Sequence, residues 1–205
     1  SKILQMIKAN VRRADNIVRA LLDFSRASKL NLVPEDINSI LKSSLILVQH
    51  RTKLEDIEIV EELNDGLPKV LADKGKMEQV FVNLFLNAIQ AMPDGGRLSI
   101  RSYTKRLNEP INRAGKGGIE NYFKAGESVV VIEAEDTGVG IPEEHLEKIT
   151  DPFYTTKDPG EGTGLGLSVT KNIIDLHKGL MEIKSIIGKG TKIIVTLKKS
   201  GGLND

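Results

Sequence analysis

Apolar residues recur near the start of the chain with alternating steps of three and four: Leu4, Ile7, Val11, Ala14, Val18 and Leu21, with Ile3, Ile17 and Phe24 widening the stripe. Sustained 3-4 spacing predicts a helix with a bundle or coiled-coil seam. A lone helix of about 27 residues carrying such a stripe needs a partner. Either the rest of this chain or an oligomeric bundle meets that need. The connector Leu30-Asn31-Leu32-Val33-Pro34 follows. Pro34 drives Val33 out of helical geometry, so a domain boundary is expected there. The expected organisation is a helical segment over 1–29, a linker over 30–34, a domain over 35–199 and a tail over 200–205.

Pro34 suits the first turn of the next helix, whose apolar face is Ile37, Ile40, Leu41, Leu45 and Val48. Ile57, Ile59, Val60 and Leu63 read as a strand, and Val70-Leu71-Ala72 as a shorter one. Asp73 is placed to cap a helix reaching about Met92. Pro93-Asp94-Gly95-Gly96 is a turn cluster. Leu98, Ile100 and Ser102 alternate with Arg97, Ser99 and Arg101, the pattern of a half-buried strand. Asn108 to Gly126 is rich in Gly, Asn and charge and reads as a hairpin loop. Val129-Val130-Val131-Ile132 predicts a buried strand ending at Asp136, then a Gly-rich loop with a short helix near Glu143 to Ile149. A helix from about Gly164 to His177 comes next, then strands Leu180 to Ser185 and Lys192 to Leu197 joined by Gly188-Lys189-Gly190. The expected fold is a two-layer α/β sandwich, a mixed sheet under helices, preceded by a long N-terminal helix.

Composition narrows the function. The 205 residues are 40% hydrophobic but only 4% aromatic, so aliphatic side chains must build the core. The net charge of +1 gives no basic footprint for nucleic acid. Cysteine is absent, which excludes disulfides, thiol catalysis and thiolate-bound zinc. No apolar run approaches the roughly 18–20 residues of a membrane span. The fragment is expected to be soluble and cytoplasmic, even where the full-length protein is membrane-anchored upstream.

Candidate chemistry lies in four places. Asn83 and Asn87, four apart on a predicted helix, face one way. Their amide oxygens are hard ligands of the kind Mg²⁺ takes beside nucleotide phosphates; a solvated polar stripe has the same spacing. Asp136 ends an apolar strand where the chain enters Gly138 and Gly140. A carboxylate there can accept from the exocyclic amine of adenine, whereas guanine presents a carbonyl. Gly160, Gly162, Gly164 and Gly166 open a helix near Leu165, where backbone N–H groups and the helix dipole suit phosphate. The spacing is neither Gly-x-Gly-x-x-Gly nor a P-loop, so Rossmann and Walker assignments fail. Lys157 is a point charge able to reach phosphates, or a solvated surface lysine.

Four stretches in this order resemble the N, G1, F and G2 boxes of the ATP-binding domain of sensor histidine kinases: Asn83-Leu84-Phe85-Leu86-Asn87-Ala88, Asp136-Thr137-Gly138-Val139-Gly140-Ile141-Pro142, Asp151-Pro152-Phe153-Tyr154-Thr155-Thr156-Lys157 and Gly160-Glu161-Gly162-Thr163-Gly164-Leu165-Gly166-Leu167. Leu21-Leu22-Asp23-Phe24-Ser25-Arg26 resembles the end of such a kinase's second dimerisation helix. The resemblance implies the ATP-binding fold shared with gyrase and Hsp90, with ATP and Mg²⁺ as cofactors. It implies Asn87 and Asn83 as Mg²⁺ ligands and, with Lys157, as catalytic residues. It further implies nucleotide contacts from Asp136, Gly138, Gly140, Ile141, Phe153, Thr156, Lys157, Gly162, Thr163, Gly164, Leu165, Gly166 and Leu167, and from Thr191 through water. Pro142 to Gly164 would be the ATP lid. Partners implied are a response-regulator receiver domain and the protein's own dimerisation domain.

In that family the γ-phosphoryl group passes to a histidine followed by an acidic residue. His50, His145 and His177 are the histidines here, and none has that context. Each reads as a surface or helix-end residue, and the acceptor is expected on a helix outside this stretch. Two other readings share the boxes. An ATPase of the gyrase or Hsp90 type would carry a catalytic Glu where Asn83 stands. A nucleotide-sensing scaffold or an anti-sigma type serine kinase would lack the histidine transfer.

Overall fold

The computed structural model of the chain describes residues 30–115, 118–156 and 163–201. The expected helix before residue 30 lies outside the described residues. A five-stranded mixed sheet forms the back layer, in the order β2 (Ile57–Leu63), β4 (Gly96–Arg106), β7 (Ser128–Asp136), β9 (Gly190–Lys198), β8 (Leu180–Ile186). Only β2 and β4 run parallel; the other neighbours are antiparallel. The front layer consists of α1 (Ile37–Leu54), α2 (Lys74–Gln90) and α4 (Gly166–Leu176), with a four-residue helix α3 (Glu143–Leu146) in the loop after β7. This is the two-layer sandwich expected from the pattern.

Period-two alternation decides what each strand turns toward the helices. Leu98 and Ile100 on β4, Val130, Ile132 and Ala134 on β7, and Ile193, Val195 and Leu197 on β9 are all buried in one core. Against them α2 sets Met77, Val80, Phe81, Leu84, Phe85 and Ala88, while α1 adds Ile37, Ile40, Leu41 and Val48. Phe81 and Phe85, one turn apart, stack with centroids 6.2 Å apart. The same alternation on β7 carries Asp136 to the helix-covered face, at the strand's C-terminal end.

Three local expectations change. Pro34 does not start α1. It lies in a short strand β1 (Val33–Glu35) paired with β3 (Val70–Ala72), where Pro34 faces Leu71. A two-stranded edge tolerates a residue with no N–H to donate. The helix starts later because Asp36 caps it, accepting from the Asn38 N–H at 2.9 Å and from the Ser39 hydroxyl at 2.8 Å. The stretch read as a hairpin loop is a strand pair, β5 (Ile111–Gly115) and β6 (Gly118–Phe123). Phe123 and Leu107 at its flanks pack with Val129 and Val131 on the back face of the sheet. Beyond that cover the back face is ionic: Arg101 meets Glu62 at 2.9 Å, and Lys192 meets Glu135 at 2.9 Å.

His177 is the third. It ends α4, as expected, but it is buried. Its Nδ1 lies 2.7 Å from the Ile173 carbonyl, which can only accept, so Nδ1 carries the proton. Nε2 then accepts from the backbone N–H of Asp73 at 3.0 Å. Asp73 is the N-cap of α2, with its carboxylate taking the N–H groups of Lys76 and Asn31. A neutral imidazole therefore ties the end of one helix to the start of another. Burial holds His177 below the usual histidine range against the opposing pull of Ile173 and Asp73.

A depressed histidine destabilises the fold in acid. Above about pH 6.5 both states hold it neutral; below that the unfolded chain takes the proton first. The slope is up to about 1.4 kcal/mol per pH unit. Melting temperature of the wild type is expected to drop more steeply than that of His177→Gln between about pH 6.5 and 5. Equal slopes in thermal scans would remove this role.

Candidate functional site

A cavity of about 590 Å³ opens where α2, the end of β7, the loop after it and the start of α4 converge. Asn83, Asn87 and Gln90 reach it from α2, because three- and four-residue steps repeat one helix face. Leu84, Ala88, Ala134 and Ile193 give it an apolar floor. Asp136 lies at its inner wall and is only 5% exposed. One carboxylate oxygen, Oδ1, accepts from the N–H of Gly138 at 2.9 Å and of Thr191 at 3.2 Å. The other has no hydrogen-bond partner among the described residues, yet it is not a sealed orphan, since Asp136 lines the cavity. Burial pushes the Asp136 carboxyl above its ordinary value, and the two N–H groups oppose that push.

The loop after β7 is held close by backbone. The N–H of Val139 donates to the Ala91 carbonyl, at the C-cap of α2, at 2.9 Å. The Ile141 N–H donates to Ser185 Oγ on β8 at 2.8 Å. Gly190 enters β9 at φ +107, and a Cβ there would stand 1.9 Å from the Asp136 carbonyl oxygen. No side chain fits between Asp136 and β9.

The fourth wall is the start of α4. Leu165 precedes it and has no polar side chain, so the first N–H groups of this 11-residue helix receive no bond from a capping residue among the described residues. A Cβ on Gly166 would sit 3.9 Å from the Asn87 amide nitrogen, which fixes how near α2 stands to those N–H groups. An open helix start beside two amide side chains fits an anionic ligand with a hard cation. An open carboxylate oxygen above an apolar floor fits an amine-bearing ring.

The model of histidine kinase-, DNA gyrase B-, and HSP90-like ATPases matches residues 72–201. The chain belongs to this ATPase family. Among curated relatives, the sensor kinase CckA of Brucella abortus is 42% identical over 193 residues, covering 94% of this chain and 20% of that protein. The sensor histidine kinase ZraS of Escherichia coli O157:H7 is 33% identical over 196 residues, covering 96% of this chain and 38% of that protein. The chain thus spans well under half of these two relatives. Among solved structures, histidine kinase ThkA in complex with the response regulator TrrA has a TM-score of 0.74 at 25% identity, covering all of this chain and 52% of that one. The isolated catalytic domain of ThkA gives 0.65 at 27% identity, covering 83% and 97%. The domain is an ATP-binding catalytic domain of the sensor histidine kinase type.

Within this ATPase domain, most residues read from the sequence meet at one place. Asn83, Asn87, Asp136, Gly140, Ile141, Thr156, Thr163, Gly164, Gly166, Leu167 and Thr191 line the cavity. Three do not. Gly138 supplies its N–H to Asp136 from behind the wall. Leu165 is buried in the core. Phe153 points away: it is 57% exposed and sits at φ +68. Lys157 and Gly162 lie outside the described residues. Ile149 and Tyr154 line the cavity without having been anticipated. Tyr154 is held by a short hydrogen bond to His145 Nδ1, so that histidine braces the loop from α3. A hydroxyl and an imidazole nine positions apart in a loop give no periodic signal. Among the described residues no helix is long and apolar enough to cross a membrane.

Two glycines in the β8–β9 turn separate clash from strain. Gly188 and Gly190 both have positive φ, but nothing lies within 4 Å of a Cβ at Gly188. Gly188→Ala is expected to cost about 1 kcal/mol, a fall of roughly 2–4 °C in Tm. Gly190→Ala adds overlap with Asp136 and is expected to cost about 3 kcal/mol or more, roughly 6–12 °C. Calorimetry on both checks the ordering, and equal falls would contradict the close approach.

Proposed function

We propose that this domain binds ATP with Mg²⁺ and donates the γ-phosphoryl group to a histidine on a dimerisation helix, for relay to an aspartate of a response regulator. The observation that carries this reading is Asp136. A buried carboxylate has one oxygen fixed by two backbone N–H groups and the other turned to an apolar cavity. That oxygen accepts from the adenine amine. Asn83 and Asn87 are the metal-facing side chains, and the uncapped start of α4 takes the phosphates. Mg²⁺ would neutralise charge on the phosphates and leaving ADP. Lys157, which lies outside the described residues, would supply the positive charge implied by its motif.

The chain's own contribution is positioning and charge, which is most of what phosphoryl transfer requires. An imidazole nitrogen of the acceptor attacks the γ-phosphorus. The bond to the β–γ bridging oxygen breaks, and ADP leaves with that electron pair. The imidazole proton passes to a base carried by the dimerisation helix. Asn83 stands where a hydrolytic relative would hold a glutamate, and α2 sends no carboxylate into the cavity to activate water. The likeness to ThkA, solved with a response regulator, supports that partner; the homodimer and upstream membrane anchorage belong to the same proposal.

Calorimetric titration of ADP and ATP, with and without Mg²⁺, tests it. Wild type is expected to bind with micromolar to sub-millimolar affinity and Mg²⁺ to assist; Asp136→Asn is expected to lose about 10- to 100-fold. Asparagine keeps the bonds from Gly138 and Thr191 but turns a donor toward the amine. Adenine affinity of wild type should also fall as pH drops through the raised Asp136 value, by up to about tenfold per unit. Absence of binding, or a mutant that binds equally, would sink the adenine reading. Incubated alone with labelled ATP, the chain should form no acid-labile, base-stable phosphohistidine on His50, His145 or His177, and release little phosphate. Rapid steady-state release would favour the gyrase-type ATPase instead.

A further inference from the structure

Behind Asp136, the Thr191 hydroxyl meets that of Ser185, which the reading above gives no role. Ser185 Oγ on β8 makes three contacts. It receives the Ile141 N–H at 2.8 Å, lies 3.0 Å from the Gly190 carbonyl oxygen, and lies 2.9 Å from Thr191 Oγ1. Ser185 and Thr191 are cross-strand partners in the β8–β9 pair, which is why the hydroxyls meet. Thr191 is buried, lines the cavity, and gives its own N–H to Asp136.

Counting protons fixes the direction of each of these bonds. Ser185 has one hydroxyl hydrogen. The Gly190 carbonyl can only accept, so that contact needs the Ser185 hydrogen. The Thr191 contact then needs a hydrogen from Thr191. No other arrangement gives all three contacts a proton. Thr191 Oγ1 thereby spends its hydrogen on Ser185, and what it turns to the cavity is a lone pair.

We infer that Ser185 is a positioning residue for base selection: it orients the Thr191 hydroxyl as an acceptor, so that the cavity presents two acceptors together, Thr191 Oγ1 and the open Asp136 oxygen. An exocyclic amine has two hydrogens, and two neighbouring acceptors suit both, directly or through one water. A purine with a carbonyl at that position meets two lone-pair faces and is rejected. This rests on the adenine reading of Asp136 and extends it to the second amine hydrogen. Ser185 also pins Ile141, so the same hydroxyl sets the loop wall and the polarity of Thr191.

The test compares ADP with IDP, whose base carries a carbonyl in place of the amine, by calorimetry in the presence of Mg²⁺. Ser185→Ala frees the Thr191 hydrogen to point into the cavity. ADP affinity is expected to fall about tenfold while IDP affinity holds or rises, narrowing the ADP-to-IDP ratio by about tenfold or more. Ser185→Thr, which keeps a hydroxyl, should restore the wild-type ratio. Thr191→Val should narrow the ratio as well, and adding Ser185→Ala to it should change the ratio no further. A merely structural Ser185 would lower ADP and IDP affinity by the same factor, and that result overturns the inference while leaving ATP binding intact. Equal affinity of the wild type for ADP and IDP would instead remove the amine-reading role of Asp136, on which the inference depends. Thermal scans identify any variant that fails to fold, in which case the Thr191→Val and Ser185→Thr ratios decide alone.

Discussion

The site depends on one carboxylate oxygen shared by two backbone amides. Asp136 Oδ1 takes the N–H of Gly138, two residues ahead, and the N–H of Thr191, on the neighbouring strand. The first bond folds the loop back on the end of β7. The second locks that loop to β9. Burial of the carboxylate is costly, and the two amides are what make it tolerable. They also leave the second oxygen toward the cavity, so structural support and an open acceptor come from opposite sides of one side chain. Close passage of Gly190 past the Asp136 carbonyl is a condition of the same arrangement.

Around that point three of the cavity's four walls contribute in three different ways. The helix α2 gives side chains at helical spacing, the strand end gives a fixed carboxylate, and the start of α4 gives N–H groups with no side chain at all. In the proposed function each meets a different part of one ligand: cation, ring and phosphate. A rigid core of aliphatic residues with stacked Phe81 and Phe85 keeps the walls in register. The chain therefore spends few charged residues on a highly charged ligand, which agrees with its near-neutral balance.

Much of this was legible in the sequence because periodicity reports burial. Alternation on β4 and β7 and the 3-4 spacing of Met77, Val80, Phe81 and Leu84 follow directly from which faces meet. Asn83, Asn87 and Asp136 were readable because they sit at the ends or faces of such elements. What was not legible depends on long-range pairing. Pro34 looked like a helix start because only the pairing with β3 shows that an edge strand accepts it. The β5–β6 hairpin was hidden by its glycines and charges, whose local preference is for loop. His177 read as a surface or helix-end residue; it does end a helix, but its bond from Asp73 comes from more than a hundred positions away. Ser185 carries no motif, and its contact with Thr191 exists only across the strand pair.

His177 also bears on how the nucleotide site is joined to the rest of the polypeptide. The helix α4 is a rod of 11 residues, about 16 Å long. Its first turn faces the cavity, and its C-cap residue, His177, accepts the backbone N–H of Asp73. Asp73 in turn holds the N–H of Asn31 through another, at the point where the chain enters the domain from its N-terminal segment. Two hydrogen bonds thus separate the far end of this cavity-lining helix from the segment that enters the domain. A tilt of α4 about its first turn would therefore be felt at His177 and, through Asp73, at residue 31.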